Sequence, residues 1–114
     1  MMTLLAEPIL TADTAERYEV MDAAEVRAYL ASRPHLITLL EDAPQQIARF
    51  FPNAPLRLEV HVDPDDGTET LLIRIRTNME TAEALRRDDE LLESWYLDLP
   101  YAIRRDALIT LGEV

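Results

Sequence analysis

Few side chains in this sequence are equipped for covalent chemistry. His35 and His61 are its two histidines and Ser32 and Ser94 its two serines. A nucleophile and base would have to be drawn from these and brought together by a fold contact that the sequence does not place. His35 stands at a helix start and His61 on the polar side of a strand. Neither has another histidine at a metal-ligand spacing, and the absence of Cys removes thiolate nucleophiles, disulfides and Cys-ligated zinc or iron–sulfur centres. Two exposed histidines are the expectation. Lysine is also absent, every basic residue being Arg, as codon usage in a GC-rich genome would produce. Schiff-base chemistry and a P-loop lysine are thereby excluded.

The acids are plentiful but poorly placed for catalysis. Glu90 with Glu93 and Asp88 with Asp89 are close enough in sequence to suggest a paired acid and base, yet helical spacing turns several of them toward water. The run Asp63-Pro-Asp-Asp-Gly-Thr-Glu69 invites a calcium reading. Setting Gly67 at the sixth place of an EF-hand loop puts Val62 first, Pro64 third and Ile73 twelfth, so the ligand pattern fails. Asp and Gly are also what a hairpin turn requires, and a turn is expected there. With two glycines in the chain there is no phosphate-cradling loop. No catalytic residue, cofactor or metal site is expected.

Two surfaces stand out instead. The outward side of the expected hairpin carries Arg57, Glu59 and His61 on one strand and Leu72, Arg74 and Arg76 on the other. That is a mixed patch with three arginines in an otherwise acidic molecule, suited to an acidic groove or a carboxylate, although a wetted sheet face needs charge in any case. The second is the aromatic group Trp95, Tyr96 and Tyr101 beside Arg104 and Arg105, which resembles an interface anchor, with Trp95 expected partly buried.

The elements that must position these residues follow from periodicity. Asp22 and Glu25 have capping-box spacing, and a short helix follows that buries Ala23, Val26, Tyr29 and Leu30. From His35 to Phe51, Leu36, Leu40, Ala43, Ile47 and Phe50 form one helical stripe. Pro44 cannot donate to the Leu40 carbonyl, so a kink or two short helices are predicted. Residues 56–63 and 70–77 alternate apolar and polar, the pattern of half-buried strands. An Asp66-Gly67 turn sets Val62 opposite Leu71, and a four-residue loop, Pro64 to Gly67, keeps the same face while shifting partners by two. Asn78 caps a helix from about Met79 or Glu80 to Leu97 with Ala82, Leu85, Leu92, Tyr96 and Leu99 as its apolar series and Leu91 and Trp95 beside them, and the charged run Arg86 to Glu90 faces water. Residues 106–111 have the composition of a last strand.

The fold class predicted is α+β: a small antiparallel or mixed three-stranded sheet, hairpin plus C-terminal strand, with helices packed on one face. Residues 1–20 are read as an N-terminal arm or edge strand and 21–114 as a single domain, since 114 residues suit one core. The composition, 48% hydrophobic and 29% charged, is globular. No apolar run approaches the ~18 residues that span a bilayer. The opening residues lack a basic region and are broken by Glu7 and Pro8, so no secretory signal or membrane contact is expected and a cytoplasmic location is. A net charge of −11 disfavours direct nucleic-acid binding and favours a basic partner.

The series Arg33-Pro-His-Leu-Ile-Thr-Leu-Leu-Glu-Asp-Ala-Pro44, the segment Ile75-Arg-Thr-Asn78 and Ser94-Trp-Tyr-Leu-Asp-Leu-Pro100 together resemble a family of small, mostly uncharacterised bacterial proteins. The resemblance runs from about Ala24 to Leu111. It implies an association with toxin–antitoxin-like gene pairs, in which an acidic member accompanies a toxin-like protein, and it supplies no catalytic residues. The leading expectation is a non-catalytic, acidic protein-binding or regulatory domain, the antitoxin-like partner of a basic protein. The alternatives are a homo-oligomeric structural protein joined by a sheet edge or the hairpin face, an acidic DNA mimic, and a small hydrolase using His61.

Overall fold

The computed structural model describes residues 12–113. They run in the order α1 (Ala12–Ala15), β1 (Tyr18–Val20), α2 (Ala23–Ala31), α3 (Leu36–Ala48), β2 (Leu56–Val62), β3 (Glu69–Arg76), α4 (Thr81–Ser94), α5 (Tyr101–Asp106) and β4 (Ala107–Gly112), with a 3-10 turn at Tyr96–Asp98. Most of the expected arm, residues 1–11, lies outside the described residues.

The two alternating segments pair antiparallel, with Leu56 opposite Ile75, Leu58 opposite Ile73, Val60 opposite Leu71 and Val62 opposite Glu69. This is the register of the four-residue loop, not of the Asp66-Gly67 turn. The loop closes where Asp63 N donates to Thr68 O and Gly67 N to Asp63 O, both at 2.8 Å. Its aspartates accept from their own loop, Asp63 Oδ1 from Asp65 N at 2.8 Å and Asp66 Oδ1 from Thr68 N at 2.9 Å. The bond from Thr68 holds the Asp66 carboxyl below its ordinary pKa. A two-residue type I′ turn needs positive φ at both central positions. Of Asp66 and Gly67, only Gly67, at φ 75°, adopts it.

The sheet has four strands rather than three, in the order β1-β2-β3-β4, and is mixed. β4 runs parallel to β3, Leu72 opposite Leu108, and β1 parallel to β2, Tyr18 opposite Leu56. β1 is an edge strand within residues 1–20, where the sequence left an arm or an edge strand open because three residues are too few to show a period of two.

One face of this sheet, Leu56, Leu58, Leu71, Ile73, Ile75 and Ala107, is buried in a single core with side chains of α2, α3 and α4. Asp22 caps α2, its Oδ1 accepting from Glu25 N at 3.2 Å, and Val26, Tyr29 and Leu30 turn inward as expected while Ala23 stays exposed. α3 is one helix through Pro44, neither divided nor stopped there. The carbonyl that Pro44 cannot serve, that of Leu40, accepts instead from the buried Tyr18 hydroxyl of β1 at 2.7 Å. Burial drives the Tyr18 pKa well above its ordinary value.

Further along, the sequence places the helix by the wrong residues. α4 is capped by Glu80, not Asn78: its carboxylate accepts from Ala82 N and Glu83 N at 3.2 and 3.1 Å. The inward stripe is Ala84, Leu91 and Trp95, whereas Ala82 and Leu85 are exposed. Arg86 to Glu90 does not wholly face water, because Asp88 falls on the Ala84–Leu91 side, four residues from one and three from the other. One of its carboxylate oxygens is buried without a hydrogen-bond partner.

Pro100 starts α5, an element absent from the sequence reading, which passes straight into β4. A helix that ends without a loop leaves carbonyls unserved. Two tyrosines supply donors, Tyr29 to Asp106 O at 2.8 Å and Tyr96 to Ala107 O at 2.7 Å.

Candidate functional site

The hairpin side chains singled out from the sequence do come together on the other face of the sheet. Glu19, Arg57, Arg74 and Thr110 occupy one row across all four strands, and Glu59, Leu72 and Leu108 the next. His61 lies opposite Thr70 and is exposed. In the four-residue-loop register Glu59 faces Leu72. Glu59 nevertheless reaches diagonally to Arg74, Nε to Oε1 at 3.0 Å. Such diagonal neighbours remain within reach of long side chains.

The arginines are held in place rather than waving in solvent. Arg57 Nε and Arg76 Nη1 both donate to Glu19 Oε1, at 3.1 and 3.0 Å, and Arg76 Nε donates to Glu113 O at 3.0 Å. Bonding from Arg57, followed by its charge and then Arg76, holds the Glu19 carboxyl below its ordinary pKa. Gly112 makes room for this network: a Cβ there would stand 2.7 Å from Arg74 Cδ. Glu19 is absent from the sequence candidates, since a three-residue edge strand shows no alternation to say which face its residues take.

Among the described residues no helix covers this face. Leu108 is 46% exposed and half-buried Leu72 lies beside it, so two leucines form an apolar strip between charged neighbours. The three arginines outnumber Glu19 and Glu59, which sets the face apart from an acidic molecule.

The aromatic group divides. Tyr96 is buried, its hydroxyl committed to the β4 backbone, and it offers no contact surface. Trp95 is partly buried against the core, as expected. Tyr101 is 67% exposed, with the Arg104 guanidinium 6.0 Å from its ring centre.

A second polar cluster joins residues far apart in sequence. His35 Nε2 lies 2.9 Å from Asp106 Oδ2, and a carboxylate can only accept, so Nε2 carries the hydrogen. Arg105 grips the same carboxylate at 3.2 and 3.3 Å. Arg105, and then His35, hold the Asp106 carboxyl below its ordinary pKa. Arg33 covers the Tyr29 ring at 3.8 Å, and Ser32 Oγ donates to Tyr29 O at 3.1 Å. Ser32 thus bonds backbone, and the arrangement ties the start of α3 to the end of α5. No spacing in the sequence could have indicated a pair 71 positions apart.

Among the described residues no group of three His, Cys, Asp or Glu side chains could hold a metal ion, and no helix is long and apolar enough to cross a membrane. Compared with protein-family models, curated proteins and solved structures, the chain matches none.

Proposed function

We propose that this chain is a non-catalytic protein-binding domain whose uncovered sheet face receives the partner. One observation carries the reading: a mixed sheet, two of whose three strand pairings are parallel, is roofed by helices on one side only among the described residues. Parallel strands are ordinarily covered on both faces. The exposed side offers what a partner needs, Leu72 and Leu108 as an apolar strip and a rim of arginines already ordered by Glu19 and Glu59. Binding there would immobilise few additional side chains, which keeps its entropic cost low.

Away from this face the surface is acidic, in the hairpin loop and along α4. A basic protein partner, as the antitoxin-like reading has it, would be drawn by that acidic field, while the arginine rim of the sheet takes carboxylates of the partner's contact surface. A photoreactive residue at position 72, compared in the native host with one at the more exposed position 97 of the 3-10 turn, tests the proposal. A distinct protein should be captured from position 72 and not from 97. No capture at 72, or the same products from both, would count against it.

A further inference from the structure

The sheet ends in two unlike edges. β1 is three residues long and bears Glu19, and short charged edge strands resist pairing with other chains. β4 is six residues, Ala-Leu-Ile-Thr-Leu-Gly, without charge or proline. It has none of the usual protections. Its alternation fixes which backbone groups are available. Gly112 O accepts from Thr77 N, so the even-numbered residues bond toward β3. The odd-numbered ones point outward. Of these, Ala107 is engaged at both groups, its N–H with Ile103 O and its carbonyl with Tyr96. Among the described residues Ile109 and Leu111 remain, both partly exposed.

We infer that β4 pairs antiparallel with β4 of a second copy, producing a two-fold dimer with one continuous eight-stranded sheet. The register follows from the available groups. Ile109 exchanges both hydrogen bonds with Leu111 of the other copy, Thr110 meets Thr110 across the axis, and Ala107 keeps its present partners. The charges favour a second copy in this orientation. β4 is preceded by Arg104, Arg105 and Asp106, two bases against one acid, and followed by the exposed Glu113, so antiparallel pairing sets an end of net positive charge beside the acidic end of the other copy. This charge-free margin is also where two molecules at −11 can approach with least repulsion. Ile109 would arrive beside Leu111 at the mouth of a cleft of about 350 Å³, lined in part by Met79, Ala84, Leu85 and Leu111. The inference concerns the edge of the sheet and does not rest on the reading of its face, which stays uncovered in both copies.

The absence of Cys makes the register directly measurable. In a non-hydrogen-bonded antiparallel pair the Cα atoms lie ~4.5 Å apart, within disulfide reach. Light scattering across a concentration series should show the unaltered chain passing to dimer. Under mild oxidation Thr110→Cys should cross-link, while Leu108→Cys and the exposed control Leu97→Cys should not. Thr110→Glu, which puts a carboxylate beside Arg74 in the monomer but two carboxylates on the axis, should shift the chain to monomer with an unchanged circular dichroism spectrum. A monomer at every concentration would overturn the inference. So would a dimer in which Thr110→Cys cross-links no faster than Leu97→Cys, or one that Thr110→Glu leaves intact while the variant remains folded.

Discussion

The Tyr18 hydroxyl donates to the Leu40 carbonyl at 2.7 Å, filling the place of the N–H that Pro44 lacks. A helix interior proline ordinarily leaves that carbonyl unserved and breaks or bends the helix. Here a residue of the edge strand repairs it, and so couples β1 to α3. Tyr18→Phe should therefore cost about 1–3 kcal/mol, the penalty of a buried acceptor left without a donor. Pro44→Ala restores an N–H to the same carbonyl. The double variant should lose less than Tyr18→Phe alone, and urea unfolding of the four proteins in the cycle measures the difference. Additive losses would show that the two residues do not share the carbonyl.

Asp88 should behave as a liability at neutral pH. Burial, and then the charge of Asp89, raise its carboxyl above the ordinary value, so the native state binds its proton more tightly than the unfolded chain does. Above both values the charged form is disfavoured in the fold. As pH falls from neutrality toward about 4, the native carboxyl takes up its proton and that penalty is relieved. Asp88→Asn should then be more stable than the unaltered chain at pH 7, with the gap closing on acidification. Parallel melts at several pH values give the comparison, and a pH-independent gap would contradict it.

The opposite sign holds for Asp106, whose carboxyl is lowered by Arg105 and His35. Its contribution is present above the unfolded aspartate value near 4 and is lost as pH drops through the lower native value. Asp106→Asn should destabilise the domain at neutral pH and flatten the acid limb of its stability curve. Chemical denaturation from neutral pH down to about two units below the ordinary aspartate value reads this directly.

Gly67 tests the hairpin loop without disturbing packing. A Cβ there meets nothing within 4 Å, but φ is +75°. Gly67→Ala should therefore cost roughly 1 kcal/mol from backbone strain alone. An equal or greater stability in thermal melts would show that the loop takes another form.

The hairpin and the core-facing residues of α2 and α3 were legible because each repeats one period over at least two turns or three alternations. Pro44 was legible as a difficulty, not in its solution, since Tyr18 is supplied from a strand of three residues. α4 was misphased because Asp88 occupies an inward position, and a stripe interrupted by a carboxylate reads more apolar one position away, through Leu85 and Leu92. α5 was missed because six residues between Pro100 and a strand carry too little periodicity to register. The outward residues Arg57, Glu59, Leu72, Arg74 and Arg76 were legible from alternation alone. Their organising acid, Glu19, and the leucine beside Leu72 depended on which strands joined which edges, and strand order is not written in periodicity.

Everything proposed for the partner requires that one side of the sheet be open to solvent. Methyl resonances recorded with and without a soluble paramagnetic agent measure that side by side. Leu72 and Leu108 should broaden strongly, while Leu71 and Ile73, their neighbours on the buried face, should be unaffected. Equal protection of all four in the isolated protein would mean that the face is already covered, and would contradict its assignment as the binding surface.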